Sequence, residues 1–124
     1  MEQIPSVMIL DDEPIVCERL RSTLEKVQLD LETYTDPLEA IRRFSEKKFK
    51  VLITDLKMKE LDGIEILKRV KQVSPETQVI VITGFATVEK AKEALKIGAY
   101  DFIAKPFKLS QLRDLVIKAL GRPL

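Results

Sequence analysis

The stretch Val7-Met8-Ile9-Leu10-Asp11-Asp12 runs four apolar side chains straight into a pair of carboxylates. A strand with one wet face alternates apolar and polar residues. A run without a polar break fits a strand buried on both faces, as in a parallel sheet. The pattern returns at Val51-Leu52-Ile53, which leads to Asp55, and at Val79-Ile80-Val81-Ile82, which leads to Thr83-Gly84. Two runs differ. Leu29 to Tyr34 sets Leu29, Leu31 and Thr33 against Asp30, Glu32 and Tyr34, which reads as an edge strand. Phe102-Ile103-Ala104 is short and ends in Lys105-Pro106.

Helical spacing fills the intervals. Val16, Leu20, Leu24 and Val27 fall on one helical face, with Pro14 suited to the first helical position. Asp36-Pro37-Leu38-Glu39 reads as a capping box opening a helix through Ala40, Ile41 and Phe44. Gly63, Ile66, Leu67 and Val70 mark a third helix. Val88, Ala91 and Leu95 mark a fourth, which Gly98 ends, and Leu112, Leu115, Val116 and Ala119 mark a fifth. Strand and helix alternate five times, so an α/β fold is expected: a doubly wound, five-stranded parallel sheet with right-handed crossovers. Strand order 2-1-3-4-5 puts the alternating second strand at an edge. With 124 residues, one domain over 1–124 is expected, and Gly121 to Leu124 reads as a tail.

Composition excludes several functions. Lys plus Arg number 21 and Asp plus Glu 20, so a net charge of +1 gives no electrostatic case for nucleic acid or anionic membrane as the main partner. The lone Cys17 cannot form an internal disulfide and reads as a small buried residue, which suits a cytoplasmic location. No apolar run approaches a membrane span and the first residues lack a signal core. With no histidine, Ser-His or Cys-His catalysis and His-ligated metals are excluded.

What remains is carboxylate, hydroxyl, lysine and backbone. Ligands in such sheets bind at the carboxyl ends of the strands, near the switch in strand order. There the sequence places Asp11-Asp12, Asp55, Thr83 and Lys105. Singly, each could be a turn, a cap or a surface charge. Together, three carboxylates need a cation, and hard oxygen donors favour Mg²⁺. The added lysine and hydroxyl suit a phosphoryl group, and an aspartate can be its nucleophile.

The same residues carry a family resemblance over roughly Ser6 to Leu120. Met8-Ile9-Leu10-Asp11-Asp12-Glu13, Asp55-Leu56-Lys57-Met58-Lys59-Glu60-Leu61-Asp62-Gly63, Val81-Ile82-Thr83-Gly84 and Gly98-Ala99-Tyr100-Asp101-Phe102-Ile103-Ala104-Lys105-Pro106-Phe107 appear in order. They resemble the receiver domain of bacterial two-component response regulators, a flavodoxin-like (βα)5 fold. Thr83 to Phe107 looks especially like receivers attached to ATPase-type transcriptional activators.

The resemblance implies a role for each residue. Asp55 is the phosphoacceptor. Asp11, Asp12, Asp55 and the carbonyl of Lys57 hold Mg²⁺. Thr83 and Lys105 bind phosphoryl oxygens, Phe102 is an aromatic switch, and the Lys105–Pro106 peptide is cis. It further implies a histidine kinase as donor and no enzyme activity beyond self-phosphorylation from small donors and slow self-dephosphorylation. The readout face is the fourth helix, fifth strand and fifth helix, which could dimerise or dock an effector domain. A fragment of a larger regulator is expected rather than a stand-alone protein.

Two departures stand out. Lys59 replaces the family's usual proline and is expected to loosen its loop with little effect on the chemistry. Phe102 lacks the tyrosine hydroxyl, so switching must rest on packing. Lys57 and Phe85, two residues beyond Asp55 and Thr83, are expected to tune attack of water on the phosphoryl group. Three rivals compete with this reading. A haloacid-dehalogenase-type phosphatase usually carries D-x-D and a cap. A flavin binder needs a Ser/Thr/Gly-rich loop where Asp11-Asp12-Glu13 stands. A pseudo-receiver would not need an intact acidic site.

Overall fold

The computed structural model describes residues 4–59, 61–84 and 88–122. Strands and helices alternate: β1 (Ser6–Leu10), α1 (Pro14–Leu24), β2 (Asp30–Tyr34), α2 (Pro37–Glu46), β3 (Val51–Asp55), α3 (Gly63–Val73), β4 (Gln78–Thr83), α4 (Val88–Ile97), β5 (Asp101–Ala104) and α5 (Leu109–Ala119). The sheet has order β2-β1-β3-β4-β5, and its pairings are parallel. The expected α/β topology is therefore present, with the alternating strand at the edge.

The unbroken apolar runs divide by pleat. Val7 and Ile9 of β1, Val51 and Ile53 of β3, and Ile80 and Ile82 of β4 pack with Cys17, Leu20, Leu24, Leu112 and Val116 of α1 and α5. Met8, Leu10, Leu52, Val79 and Val81 point the other way, onto Phe44, Leu67, Val70, Ala91 and Ala94 of α2, α3 and α4. Successive strand side chains alternate between faces, so each central strand feeds both cores and needs apolar residues at both parities. Fully burying one Leu, Ile or Val here is worth about 1.5–3 kcal/mol.

Helix ends follow local chemistry. Pro14 and Pro37 begin α1 and α2, where a missing N–H costs nothing. Asp62 caps α3 by accepting from the N–H of Glu65 at 2.9 Å. Gly98 follows α4 with φ of 126°, a left-handed conformation that favours glycine.

Three local expectations are corrected. α1 stops at Leu24, and the N–H of Val27 bonds to the carbonyl of Leu24 in a turn. The Asp36 carboxylate accepts from Leu38 rather than from Glu39, so the cap forms one residue early. On α4 the inner positions are Ala91 and Ala94, while Leu95 is exposed. α4 thus lies on its neighbours through methyl groups. Its helical period is right, but its apolar face is turned from the one the larger side chains suggest.

Candidate functional site at the carboxyl edge of the sheet

β1 and β3 are neighbours with Leu10 opposite Thr54, so the residues that follow, Asp11 and Asp55, emerge side by side. β3 pairs with β4 through Asp55 opposite Ile82, and β4 with β5 through Thr83 opposite Ala104. The four strand ends that the sequence reading selected therefore meet on one edge.

Asp55 is 6% exposed. Its Oδ1 accepts from the N–H of Lys57 at 3.1 Å, and its Oδ2 lies 3.2 Å from Lys105 Nζ. Burial works against the charge on Lys105, but Asp55 and Asp11 outweigh it and hold the ammonium above its usual range. The Lys105–Pro106 peptide is cis.

Asp11 is 1% exposed. One oxygen accepts from the N–H of Glu13 at 2.9 Å. The other, Oδ2, is buried with no hydrogen-bond partner among the described residues. Burial pushes its carboxyl up to about 6; the Glu13 amide opposes this and the Asp55 charge adds to it. A partnerless buried carboxylate oxygen costs free energy unless a cation or proton meets it. Asp11, Asp12 and Glu13 can each offer a carboxylate oxygen within 4.8 Å of the others. This hard donor set suits Mg²⁺ or Ca²⁺ rather than a soft metal.

Thr83 is fully buried, and its hydroxyl donates to the carbonyl of Gly84 at 3.1 Å. Phe102 is half-buried against the α2–α3–α4 core. Phe85 lies outside the described residues. Cys17 is buried, as expected, and its thiol donates to the carbonyls of Asp11 and Tyr34 at 3.4 and 3.7 Å. It ties α1 to the strand end that carries the acidic pair.

Three contributors escaped the sequence reading. Glu13 was legible only as the next residue of the acidic run. Gly63 lets the backbone close behind Asp55: a Cβ there would sit 2.7 Å from both the Asp55 carbonyl oxygen and Leu56 Cα. Its N–H also donates to the carbonyl of Leu56 at 2.9 Å. Lys59 donates its backbone N–H to Asp12 Oδ2 at 3.2 Å. A proline has no N–H to give, so the substitution adds a tether.

Comparison with known proteins shows which family shares this sequence and fold. The family model described as "Response regulator receiver domain" matches residues 7–117. Response regulator protein PilR of Pseudomonas aeruginosa is 35% identical over 113 residues, covering 91% of this chain and 25% of that protein. Transcriptional regulatory protein ZraR of Salmonella typhimurium is 32% identical over 115 residues, covering 93% and 26%. The chain thus spans about a quarter of the length of these relatives. A response regulator receiver domain protein from Clostridium thermocellum superposes with a TM-score of 0.90 at 29% identity, covering 95% of each chain. NtrX from Brucella abortus, in complex with ADP, superposes with a TM-score of 0.89 at 28% identity, covering 96% of this chain and 27% of that one. By sequence and by structure, the chain belongs to the response regulator receiver domain family.

Proposed function

We propose that this receiver, taken as one domain over residues 1–124, is a phosphorylation-controlled switch. Asp55 accepts a phosphoryl group from the phosphohistidine of a sensor histidine kinase, with Mg²⁺ as cofactor. The observation that carries this reading is the setting of Asp55. It is a nearly buried carboxylate with Lys105 Nζ 3.2 Å away, on the strand next to the Asp11 oxygen that has no hydrogen-bond partner among the described residues.

Asp11, Asp12, Asp55 and the carbonyl of Lys57 would hold the ion, and Glu13 would add negative charge beside them. When bound, Mg²⁺ supplies charge neutralisation to the attacking carboxylate and the phosphoryl oxygens. The chain does the rest. An Asp55 oxygen forms the bond to phosphorus as the P–N bond to the kinase imidazole breaks, giving an acyl phosphate. Lys105 moves its ammonium from Asp55 Oδ2 to a phosphoryl oxygen. The Thr83 hydroxyl leaves the Gly84 carbonyl and donates to a second phosphoryl oxygen. Phe102, two positions along β5 from the residue paired with Thr83, repacks with that movement. The phosphorylated site then favours the active arrangement of the α4–β5–α5 face. The size of the response equals the difference in stabilisation between the two states.

Lys57 and Phe85, two residues beyond Asp55 and Thr83 in the sequence, tune the lifetime of the acyl phosphate. The readout face pairs with a second copy or with an effector domain. With a net charge of +1, the receiver itself has no electrostatic case for binding nucleic acid.

The test is intact mass after incubation with acetyl phosphate, with and without Mg²⁺, for wild type and Asp55→Asn. A Mg²⁺-dependent gain of one phosphoryl group in wild type alone is expected. Retained modification in the variant would contradict the assignment. No gain from either acetyl phosphate or a phosphorylated kinase would favour a receiver acting by contact alone.

A further inference from the structure

The loop between β3 and α3 gives two main-chain donors to two different strand ends. The N–H of Lys57 bonds Asp55 Oδ1 at 3.1 Å, a turn contact two residues long. The N–H of Lys59 bonds Asp12 Oδ2 at 3.2 Å, across 47 positions of sequence. Between them Met58 is buried, 9% exposed, and anchors the loop in the α2–α3–α4 core. The two lysine side chains point outward and are exposed. The loop thus works through its backbone, spanning β1 and β3 at the place where the carboxylates converge.

We infer that the Lys59 main-chain N–H is a positioning donor for Asp12, fixing this carboxylate so that its other oxygen faces the metal. The inference rests on the reading of Asp12 as a Mg²⁺ ligand. A carboxylate has lone pairs on both oxygens, so an N–H on Oδ2 leaves Oδ1 for an ion. Asp12 is half-buried and follows β1, so without the bond its side chain would have rotational freedom to lose on binding. Mg²⁺ demands near-ideal octahedral geometry, which rewards a fixed ligand, whereas Ca²⁺ accepts irregular geometry. Ligating carboxylates are commonly held by such outer hydrogen bonds, whose loss costs about 10–100-fold in metal affinity. Because the donor is backbone, every residue at position 59 supplies it except proline.

The experiment is a titration of the whole chain with Mg²⁺, and separately with Ca²⁺, followed by amide chemical shifts. Four proteins are compared with wild type: Lys59→Ala, Lys59→Pro, Asp12→Asn, and a semisynthetic chain with the Met58–Lys59 amide replaced by an ester. The ester removes the N–H without constraining the backbone, so it stands if the proline variant fails to fold. Lys59→Ala should bind Mg²⁺ as wild type does. Lys59→Pro and the ester should each lose about tenfold in Mg²⁺ affinity, and distinctly less for Ca²⁺. Wild-type Mg²⁺ affinity in the ester would overturn the inference, as would a loss in Lys59→Ala equal to that in Lys59→Pro. Equal losses for both ions would mark a general disruption and overturn it too. Unchanged Mg²⁺ affinity in Asp12→Asn would remove the metal-ligand reading itself, and so is distinct from failure of the tether alone.

Discussion

Glu32 on β2 and Asp11 after β1 are carboxylates on neighbouring strands, yet Glu32 is held down at about 2 and Asp11 is pushed up to about 6. The difference lies in what each meets. Glu32 accepts from Arg43 at 2.8 and 3.1 Å, from Lys47 at 2.9 Å and from the Tyr34 hydroxyl at 2.8 Å. Lys47 also pairs with Asp30 and lies 5.4 Å from the Phe49 ring centroid. The chain neutralises this cluster with its own cations. At the carboxyl edge, Lys105 pairs with Asp55, and among the described residues the grouped carboxylates of Asp11, Asp12 and Glu13 make no ion pair. Both sites are acidic, but only one leaves charge for an outside cation to meet. A perturbed carboxylate marks a functional site when the shift runs against ionisation and the partner is missing.

The largest effect should come from the unneutralised cluster. In metal-free protein, Asp11 binds its proton more tightly when folded. Its contribution is therefore fully present below its ordinary value of 3.8 and is lost as pH rises through about 6. Asp11→Asn removes that loss and should stabilise the metal-free protein at pH 7 by on the order of 1–3 kcal/mol. Urea unfolding of both proteins from pH 4 to 8, in chelator, measures the gap, which should shrink toward pH 4. Under the proposed Mg²⁺ site, adding Mg²⁺ should reverse the order, because only wild type keeps the full proposed ligand set. A gap independent of pH would mean that Asp11 is as well accommodated as Glu32.

The next effect separates backbone from side-chain construction. The Glu32 cluster is held by long flexible side chains and can adjust. The β3–α3 loop is held by main-chain packing at Gly63, where an added Cβ would overlap backbone of Asp55 and Leu56 at 2.7 Å. Gly63→Ala should cost about 1–3 kcal/mol, the usual range for overpacking. It should also slow acetyl phosphate labelling of Asp55, because the displaced atoms carry that residue. Thermal melts and labelling rates check both. A stable variant with wild-type labelling would show that the loop yields as easily as the β2 edge.

How much of this could be read beforehand divides along the same line. The apolar runs at Val7–Leu10, Val51–Ile53 and Val79–Ile82 declared strands buried on both faces, and burial on both faces forced a parallel sheet with helices above and below. Asp11, Asp12, Asp55, Thr83 and Lys105 were legible because each lies within two residues of the end of an apolar run, so strand direction alone sends them to one edge. The turn of α4 was not legible. Leu95 has the larger apolar side chain, yet Ala91 and Ala94 are the buried positions. Nor was the Lys59–Asp12 hydrogen bond, since a residue other than proline shows that an N–H is available but not which acceptor it meets. The Glu32 cluster was invisible for a related reason: Arg43 and Lys47 look like any solvated helix charges until β2 is placed beside α2.

The smallest effect belongs to that cluster. Glu32 ionises more readily when folded, so its contribution is present above its ordinary value of 4.5 and is lost as pH falls through about 2. That slope has the opposite sign to the slope of Asp11. Glu32 and Arg43 are partly exposed, with side-chain accessibilities of 20% and 32%, so solvent and salt screen much of the attraction. Glu32→Gln should therefore cost only about 1 kcal/mol at pH 7, and less in 1 M salt. The gap to wild type should close below pH 3. Urea unfolding at low and high salt reads the magnitude, and the pH series reads the sign. Mg²⁺ should leave the gap unchanged, since the β2 edge already has its cations. A Mg²⁺-sensitive gap would mean that the two acidic clusters communicate through β1, and that the line drawn between a neutralised and a waiting cluster is wrong.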